Sequence, residues 1–302
     1  MGIDTSVAQL LLGAKASGAD FTDSLMIGRQ FFYPDPDALA QMFLWHGIDR
    51  DAGELVREAA GWAESFFAAL GARQVASLDA SSFEGATHIH DMNVPIPESL
   101  KERFSVVFDG GTLEHVFNFP QALRNCMEML KEGGTFIQHT PANNFMGHGF
   151  YQFSPELFYR VFSESNGFKV VAVLLQESVR GGRWYAVADP AHVGKRVQLT
   201  NRLPTIMCTI ARRITRVPVL QTTPQQTDYA AGWKKTDVAS GGVYRPSPEW
   251  RRGVARVVHR YVPQPVERFL RATYSPGLEA QPDCFRRLDV RQLVQGDIPR
   301  MG

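Results

Sequence analysis

The chain has 302 residues, enough for one large domain or two modest ones. Its net charge of +1, from 32 basic and 31 acidic residues, excludes a strong overall field that would recruit nucleic acid or an anionic membrane. The three cysteines lie far apart without a CxxC pair, which favours a reducing compartment. With no signal peptide and no apolar run long enough for a bilayer, we expect a cytoplasmic protein without nucleic-acid partner or membrane insertion. A homo-oligomer is compatible with these features.

Hydrophobic periodicity predicts helices and strands in alternation through the first two thirds of the chain. The predicted helices are 5–17, 35–47, about 52–70, 113–130 and 154–168, and the predicted strands are 23–28, 73–79, 87–93, 105–109, 132–141, 169–177 and 183–189. This alternation predicts an α/β fold with a doubly wound, mostly parallel, seven-stranded Rossmann-like sheet. The last two strands are expected to form a hairpin at one edge.

The character of the sequence changes after residue 190. The basic amphipathic segment 201–214 and the segment 249–274 are predicted to be helical, whereas 221–248 is polar, rich in Gly and Pro, and predicted to be loop. We therefore divide the chain into an N-terminal helix (1–22), a Rossmann-like domain (23–190) and a C-terminal helical and loop extension (191–302).

Three successive predicted strands end in an acid, at Asp79, Asp91 and Asp109. Open α/β sheets bind ligands outside the carboxyl ends of their strands. Carboxylates at this edge favour a ligand that carries hydroxyl and amino groups.

The segment "VVFDGGTLEHVFNFPQALRNCMEMLKEGGTFIQHTP", within residues 104–141, resembles class I S-adenosylmethionine (SAM)-dependent methyltransferases. The resemblance extends more weakly over residues 24–177, and the run "GHGFYQFSPELFYRVF" is also similar to bacterial methyltransferases of this kind. It implies SAM as the cofactor.

The resemblance also implies roles for single residues. It assigns Asp79 to the ribose hydroxyls and Asp91 to the adenine amino group, and it places near the adenine or the methionine moiety the residues Met92, Asn93, Asp109, Gly110 and Gly111. The family's GxGxG loop is replaced here by Gly28, Arg29 and Gln30. We expect Gln30 to donate to the methionine carboxylate, with Arg29 supplying charge.

The segment 146–153, "MGHGFYQF", lies where acceptors bind in this architecture. We predict that His148 removes an acceptor proton and that Glu114 and His115 lie near the transferred methyl. The predicted substrate-binding residues are Asn144, His148, Tyr151 and Gln152. The alternatives are a solvated histidine and helix-start residues that satisfy backbone groups. We predict no metal, although His139 and His148 with a carboxylate are an open alternative.

These observations predict a SAM-dependent methyltransferase that acts on an oxygen of a small-molecule or sugar acceptor in a biosynthetic pathway. Motifs of serine hydrolases (GxSxG) and P-loop proteins (GxxxxGK[ST]) are absent from the sequence. Two alternatives remain. One alternative to the methyltransferase is a catalytically inactive scaffold that keeps the fold, as the missing glycine loop suggests. The other is a different nucleotide-binding α/β enzyme.

Overall fold

A computed structural model describes residues 2–230 and 277–301. The predicted helix 249–274, and the predicted loop after residue 230, lie outside the described residues. Within the described ranges, no helix has the length and apolar character needed to cross a membrane.

A nine-stranded mixed sheet forms the centre of the molecule. Its spatial order is β11-β9-β8-β10-β7-β6-β2-β4-β5, with the strands β2 (Asp23–Ile27), β4 (Gln74–Asp79), β5 (His88–Ile89), β6 (Phe104–Asp109), β7 (Leu130–Asn143), β8 (Phe168–Glu177), β9 (Trp184–Val187), β10 (Thr205–Arg213) and β11 (Phe285–Leu288). A separate parallel pair joins β1 (Gly2–Ile3) to β3 (Phe31–Phe32). The sheet thus has nine strands and mixed directions rather than the predicted seven.

The half of the sheet from β5 to β7 is parallel throughout. When these five strands are numbered in chain order, their spatial order from β5 to β7 is 3-2-1-4-5. This is the arrangement of a doubly wound nucleotide-binding half. The predicted Rossmann-like core is therefore confirmed by the strand order. The order reverses between β2 and β6, and the carboxyl ends of those two strands mark the switch point where such sheets bind ligands.

Strand β10 corrects the prediction of a helix over 201–214. It lies antiparallel between β7 and β8 and pairs with both along its length. Its run Thr205 to Ala211 is apolar and rich in β-branched residues, as expected for a strand buried on both faces, and Pro204 precedes its first residue. Arg212 and Arg213 at its end gave the segment a basic, amphipathic character that a helix also has.

Residues beyond 190 supply β10 and β11, so part of the predicted C-terminal extension belongs to the main sheet. Strand β11 pairs with the outer side of β9. The predicted hairpin of β8 and β9 is present, but it does not form the edge of the sheet. The predicted strand 87–93 shortens to the two residues of β5.

The helices cover both faces of the sheet. They are α1 (Thr5–Ala16), α2 (Pro36–His46), α3 (Ala52–Glu58), α4 (Glu64–Ala69), α5 (Phe119–Met129), α6 (Pro155–Val161), α7 (Pro190–Val193) and α8 (Val290–Val294), with 3₁₀ turns at Glu98–Leu100, Leu113–His115, Glu164–Asn166 and Leu278–Ala280. Asp35 caps α2 by accepting from the Ala38 amide, as the sequence predicted.

One predicted helix, 52–70, is broken into α3 and α4. Ala60 and Gly61 between them both adopt positive φ angles, 47° and 89°, which no α-helix continues. The break lets Ala63 donate its amide to the Gln30 carbonyl, at 3.0 Å, so it ties α4 to the turn after β2.

The core has two parts, one on each face of the sheet. One face packs Met26, Phe108 and Ile137 against α1, α2 and α4. The other packs Ile27, Val107 and Phe136 against α5 and α6. The alternation along β2, β6 and β7 therefore fixes which strand residues face which layer.

Candidate functional site

The turn after β6, residues 109–115, begins with a carboxylate that is fully buried. The Asp109 Oδ1 accepts from the amides of Thr112, at 2.8 Å, and Leu113, at 3.3 Å, and Oδ2 accepts from Gln138 Nε2 at 2.8 Å. Burial raises the pKa of Asp109 to about 6, and these hydrogen bonds oppose part of that rise. The carboxylate that was predicted to face the methionine moiety is instead held inside its own turn.

Glu114, five residues further, is a second buried carboxyl group. Its side chain is 1% exposed, and Oε2 accepts from the hydroxyl of Thr140 on β7 at 3.2 Å. Burial and, second, the nearby Asp109 charge raise the pKa of Glu114 to about 8. The surroundings of Glu114 therefore favour the neutral form of its carboxyl group.

Two histidines stand beside Glu114. His148 Nε2 lies 3.6 Å from Glu114 Oε1, and the rings of His115 and His148 are 5.1 Å apart. Burial and the neighbouring His148 lower the pKa of His115. The structure thus brings together the three residues predicted to act near the acceptor.

Glycines in the loop after β7 make this approach possible. Gly147 and Gly149 adopt positive φ angles of 91° and 72°, and the Phe150 amide donates to the Glu114 carbonyl at 2.8 Å. A Cβ at Gly149 would lie 2.9 Å from that carbonyl oxygen, so a larger residue would push the loop away. His148 is held at the site by the backbone on both sides of it.

The predicted substrate-binding residues Asn144, Tyr151 and Gln152 instead fasten this loop. Asn144 donates to the Leu203 carbonyl at 2.9 Å, and the Tyr151 hydroxyl donates to the Phe117 carbonyl at 2.6 Å. Gln152 Oε1 accepts from the Phe145 amide at 2.9 Å.

The turn after β2, residues 28–30, is packed with protein. Gln30 is 1% exposed, and its Nε2 donates to the carbonyls of Ile27, at 3.0 Å, and Gly28, at 3.2 Å. A Cβ at Gly110 would lie 2.5 Å from Gln30 Oε1, an atom that is buried without a hydrogen-bond partner. The Gln30 side chain therefore fills the gap between the two glycines that were predicted to approach the cofactor.

Arg29, next to it, is held by three contacts. Its Nε donates to Glu64 at 2.7 Å, Nη1 donates to the Glu84 carbonyl at 3.0 Å, and its guanidinium lies 4.3 Å from the Trp62 ring centroid. Phe31 stacks on the other side of this cluster, at 4.4 Å from Trp62. The predicted ligand charge of Arg29 is thus neutralised within the protein.

Asp79 ends β4 and is half-buried. Among the described residues its carboxylate accepts one hydrogen bond, from the Ser81 amide to Oδ1 at 3.2 Å. The strand before it pairs with β2, so Asp79 lies one strand from the switch point. Its second oxygen accepts no hydrogen bond from the described residues.

Asp91 is exposed and caps its own turn. Its Oδ1 accepts from the amide and the side chain of Asn93, at 2.9 and 2.7 Å, and these two bonds lower the pKa of Asp91. Met92 is buried in the core, and its carbonyl accepts from Asn125. Asn93 joins the turn to the Asn118 amide at 2.8 Å.

Sequence reasoning missed Gln138, which links β7 to Asp109. The signal was the alternation along β7, where Phe136, Gln138 and Thr140 share the face toward α5. A buried polar side chain on a strand face that packs into the core indicates a hydrogen-bonding partner close by.

A cavity of about 740 Å³ lies on the opposite face, beside the N-terminus of α1. It is lined partly by Asp4, Ser6, Gln9, His139 and Gln176, and by none of the residues predicted to bind the cofactor. His139 is therefore separated from the Glu114 cluster, because residues 139 and 140 of β7 face opposite sides of the sheet.

No protein-family model and no curated protein matches the chain. Many of the solved structures that match are methyltransferases, as the resemblance in the sequence implies. They include a proposed SAM-dependent methyltransferase from Listeria monocytogenes (15% identity, covering 68% of this chain and 98% of that one, TM-score 0.37) and the 1,6-didemethyltoxoflavin-N1-methyltransferase from Burkholderia thailandensis (13% identity, 69% and 79%, TM-score 0.35). Similarity at this level carries no inference about activity, and the assignment of the fold depends on the strand order above.

Proposed function

We propose that the protein is a SAM-dependent methyltransferase that methylates an oxygen of a small-molecule or sugar acceptor in a biosynthetic pathway. The observation that carries the proposal is the carboxylate of Asp79 at the end of the strand beside the switch point, with one oxygen unused by the described residues. A carboxylate at this point suits a ribose diol.

The donor would bind across the ends of β4, β2 and β6. Asp79 would take the ribose hydroxyls, and the turn of Asp91, Met92 and Asn93, in which Asp91 is exposed and Met92 is buried, would border the adenine. Near Gly28, Gly110 and Gly111, Gln30 Oε1 is an acceptor without a donor, whereas Nε2 is already occupied. Gln30 therefore suits the ammonium group of the methionine moiety better than its carboxylate, the partner expected from the sequence.

The acceptor would bind at the neighbouring cluster of Glu114, His115 and His148. The loop fastened by Asn144, Tyr151 and Gln152 forms one wall. A hydroxyl acceptor loses its proton during methyl transfer, and His148, exposed and 3.6 Å from Glu114, is in position to take it. Methyl transfer itself needs mainly the alignment of donor and acceptor.

Calorimetry with S-adenosylhomocysteine (SAH), the demethylated product of SAM, tests the donor site. We expect binding by the wild type that is weakened about 10–100-fold in Asp79→Ala, because hydrogen bonds to a charged group contribute about 1.5–3 kcal/mol. Asp37→Ala, which removes an exposed carboxylate from α2, is the matched control and should bind like the wild type.

Failure of the folded wild type to bind SAH or SAM would contradict the proposal. Binding of NAD in their place would instead identify a dinucleotide enzyme.

A catalytically inactive scaffold is the second candidate. The observation in its favour is that Gln30 fills the gap between Gly28 and Gly110, and that Arg29 is neutralised by protein groups. This candidate predicts that a stably folded wild type binds neither SAH nor NAD.

A further inference from the structure

The cluster of Glu114, His115 and His148 has the composition of a metal centre. One ligand atom from each of the three side chains lies within 4.8 Å of the other two. Bonds of about 2.0–2.2 Å to a divalent ion place neighbouring ligand atoms roughly 3–4 Å apart. Small side-chain rotations are therefore enough to bring the three groups onto one ion.

Glu114 is buried close to the Asp109 carboxylate, and no lysine or arginine of the described residues forms an ion pair with either group. A buried carboxyl group without a cationic partner is costly in its charged form. A bound cation would remove this cost.

Among the described residues, neither His115 nor His148 makes a side-chain hydrogen bond, and the nearest polar approach of His148 is the 3.6 Å to Glu114. Structural histidines normally bond to a backbone carbonyl, as His46 does at 2.5 Å from the Val294 oxygen. Within the described part of the chain, the two rings therefore lie close to Glu114 without a side-chain hydrogen bond that fixes them.

Rigid elements position all three groups. Glu114 and His115 belong to one 3₁₀ turn, and the loop that carries His148 is fixed to that turn by the bond from Phe150 to the Glu114 carbonyl. Thr140 orients the second oxygen of Glu114, as partners outside the coordination shell do in metal sites.

We propose that Glu114, His115 and His148 bind a divalent transition-metal ion, with Zn²⁺ or Mn²⁺ as the candidates. Two imidazoles and one carboxylate suit these ions, whereas Mg²⁺ and Ca²⁺ prefer oxygen ligands alone. Because both histidines face solvent, the ion keeps open positions for water or for an acceptor oxygen. The inference does not depend on the proposed function, since metal binding needs no SAM. With an ion bound, His148 would serve as a ligand and would not be the base named above.

The test is calorimetric titration of the full-length chain, freed of metal with EDTA and dialysed, with ZnCl₂ and MnCl₂. We expect one ion per chain for at least one of them and a visible absorption band when CoCl₂ is added. Glu114→Gln, His115→Ala and His148→Ala should each weaken binding at least about 100-fold, and Thr140→Val about tenfold.

His192→Ala is the matched control, because it removes an exposed histidine on α7 outside the cluster. It should bind like the wild type. Circular dichroism checks that each variant folds. If Glu114→Gln, at a buried position, does not fold, His115→Ala and His148→Ala still test the proposal. Absence of saturable binding by the wild type, or equal binding by the three cluster variants and the wild type, would overturn the proposal.

Discussion

Two neighbouring turns at the same edge of the sheet differ in whether their charged side chains are paired with an opposite charge. The turn after β2 (residues 28–30) and the turn after β6 (residues 109–115) follow adjacent parallel strands, with Ile27 opposite Asp109. In the first turn, the Arg29 charge is matched by Glu64. In the second, the carboxyl groups of Asp109 and Glu114 are both buried, no lysine or arginine of the described residues pairs with them, and burial raises the pKa of each.

This difference separates a rigid part of the edge from a reactive part. Groups with strongly shifted pKa values near open space are typical of sites that bind ions or move protons. Charged groups that are paired within the protein are typical of rigid parts of a structure. We therefore expect the turn after β6 to bind ions or move protons, and the turn after β2 to form a rigid wall of the site.

Asp109→Ala should have the largest effect on stability. At pH 5 it leaves the amides of Thr112 and Leu113 and the Gln138 side chain without an acceptor, and each buried orphan costs about 1–3 kcal/mol. We expect urea unfolding to show a loss of about 3 kcal/mol or more. Arg29→Ala, in the other turn, should lose about 1 kcal/mol or less because its ion pair is partly exposed. Equal losses would remove the distinction between the turns.

Asp109→Asn should change the pH dependence of stability. The folded-state pKa of Asp109, about 6, lies above its ordinary value of 3.8, so its contribution to stability is full below pH 4 and lost as the pH rises to 6. The neutral amide avoids that loss. We expect Asp109→Asn to be about 1–3 kcal/mol more stable than the wild type at pH 8 and similar to it at pH 4.

Gln138 makes this substitution structurally feasible. Its Oε1 is buried without a partner, so a flipped Gln138 amide accepts from the side-chain nitrogen that Asp109→Asn introduces. Unfolding curves at both pH values provide the measurement. A stability difference that does not change with pH would contradict the buried-charge interpretation.

Gln30→Ala should have a smaller effect on stability than Asp109→Ala. It removes two buried donations to the carbonyls of Ile27 and Gly28, worth about 1–2 kcal/mol together. If Gln30 Oε1 accepts from the ammonium group of the donor, SAH binding should also weaken about tenfold. Unchanged or tighter SAH binding would show that the side chain only fills the gap. Thermal unfolding and calorimetry on the same sample separate the two effects.

The parallel half of the fold was predictable from the sequence because its signals are local. Strands β2, β4, β6 and β7 each contain an apolar run, and β4 and β6 end in an aspartate. Strand β10 was not predictable in this way, since a short run that is apolar throughout fits a buried helix as well as a buried strand.

The candidate site was predictable only in part. Glu114, His115 and His148 were each singled out, but no spacing in the sequence shows that the loop with His148, 34 residues after Glu114, returns to it. The sequence also did not show that Gln30 fills the turn after β2. That packing depends on contact with Gly110, a residue far away in the sequence that has no Cβ.

The position of β10 has a consequence for how the protein is made. Strands β7 and β8, of 14 and 10 residues, leave the ribosome before the strand that joins them. At roughly 5–20 residues per second, each keeps an unpaired edge for seconds until residue 213 emerges. Long unpaired edges attract other strands, so the nascent chain is most open to aggregation during that interval.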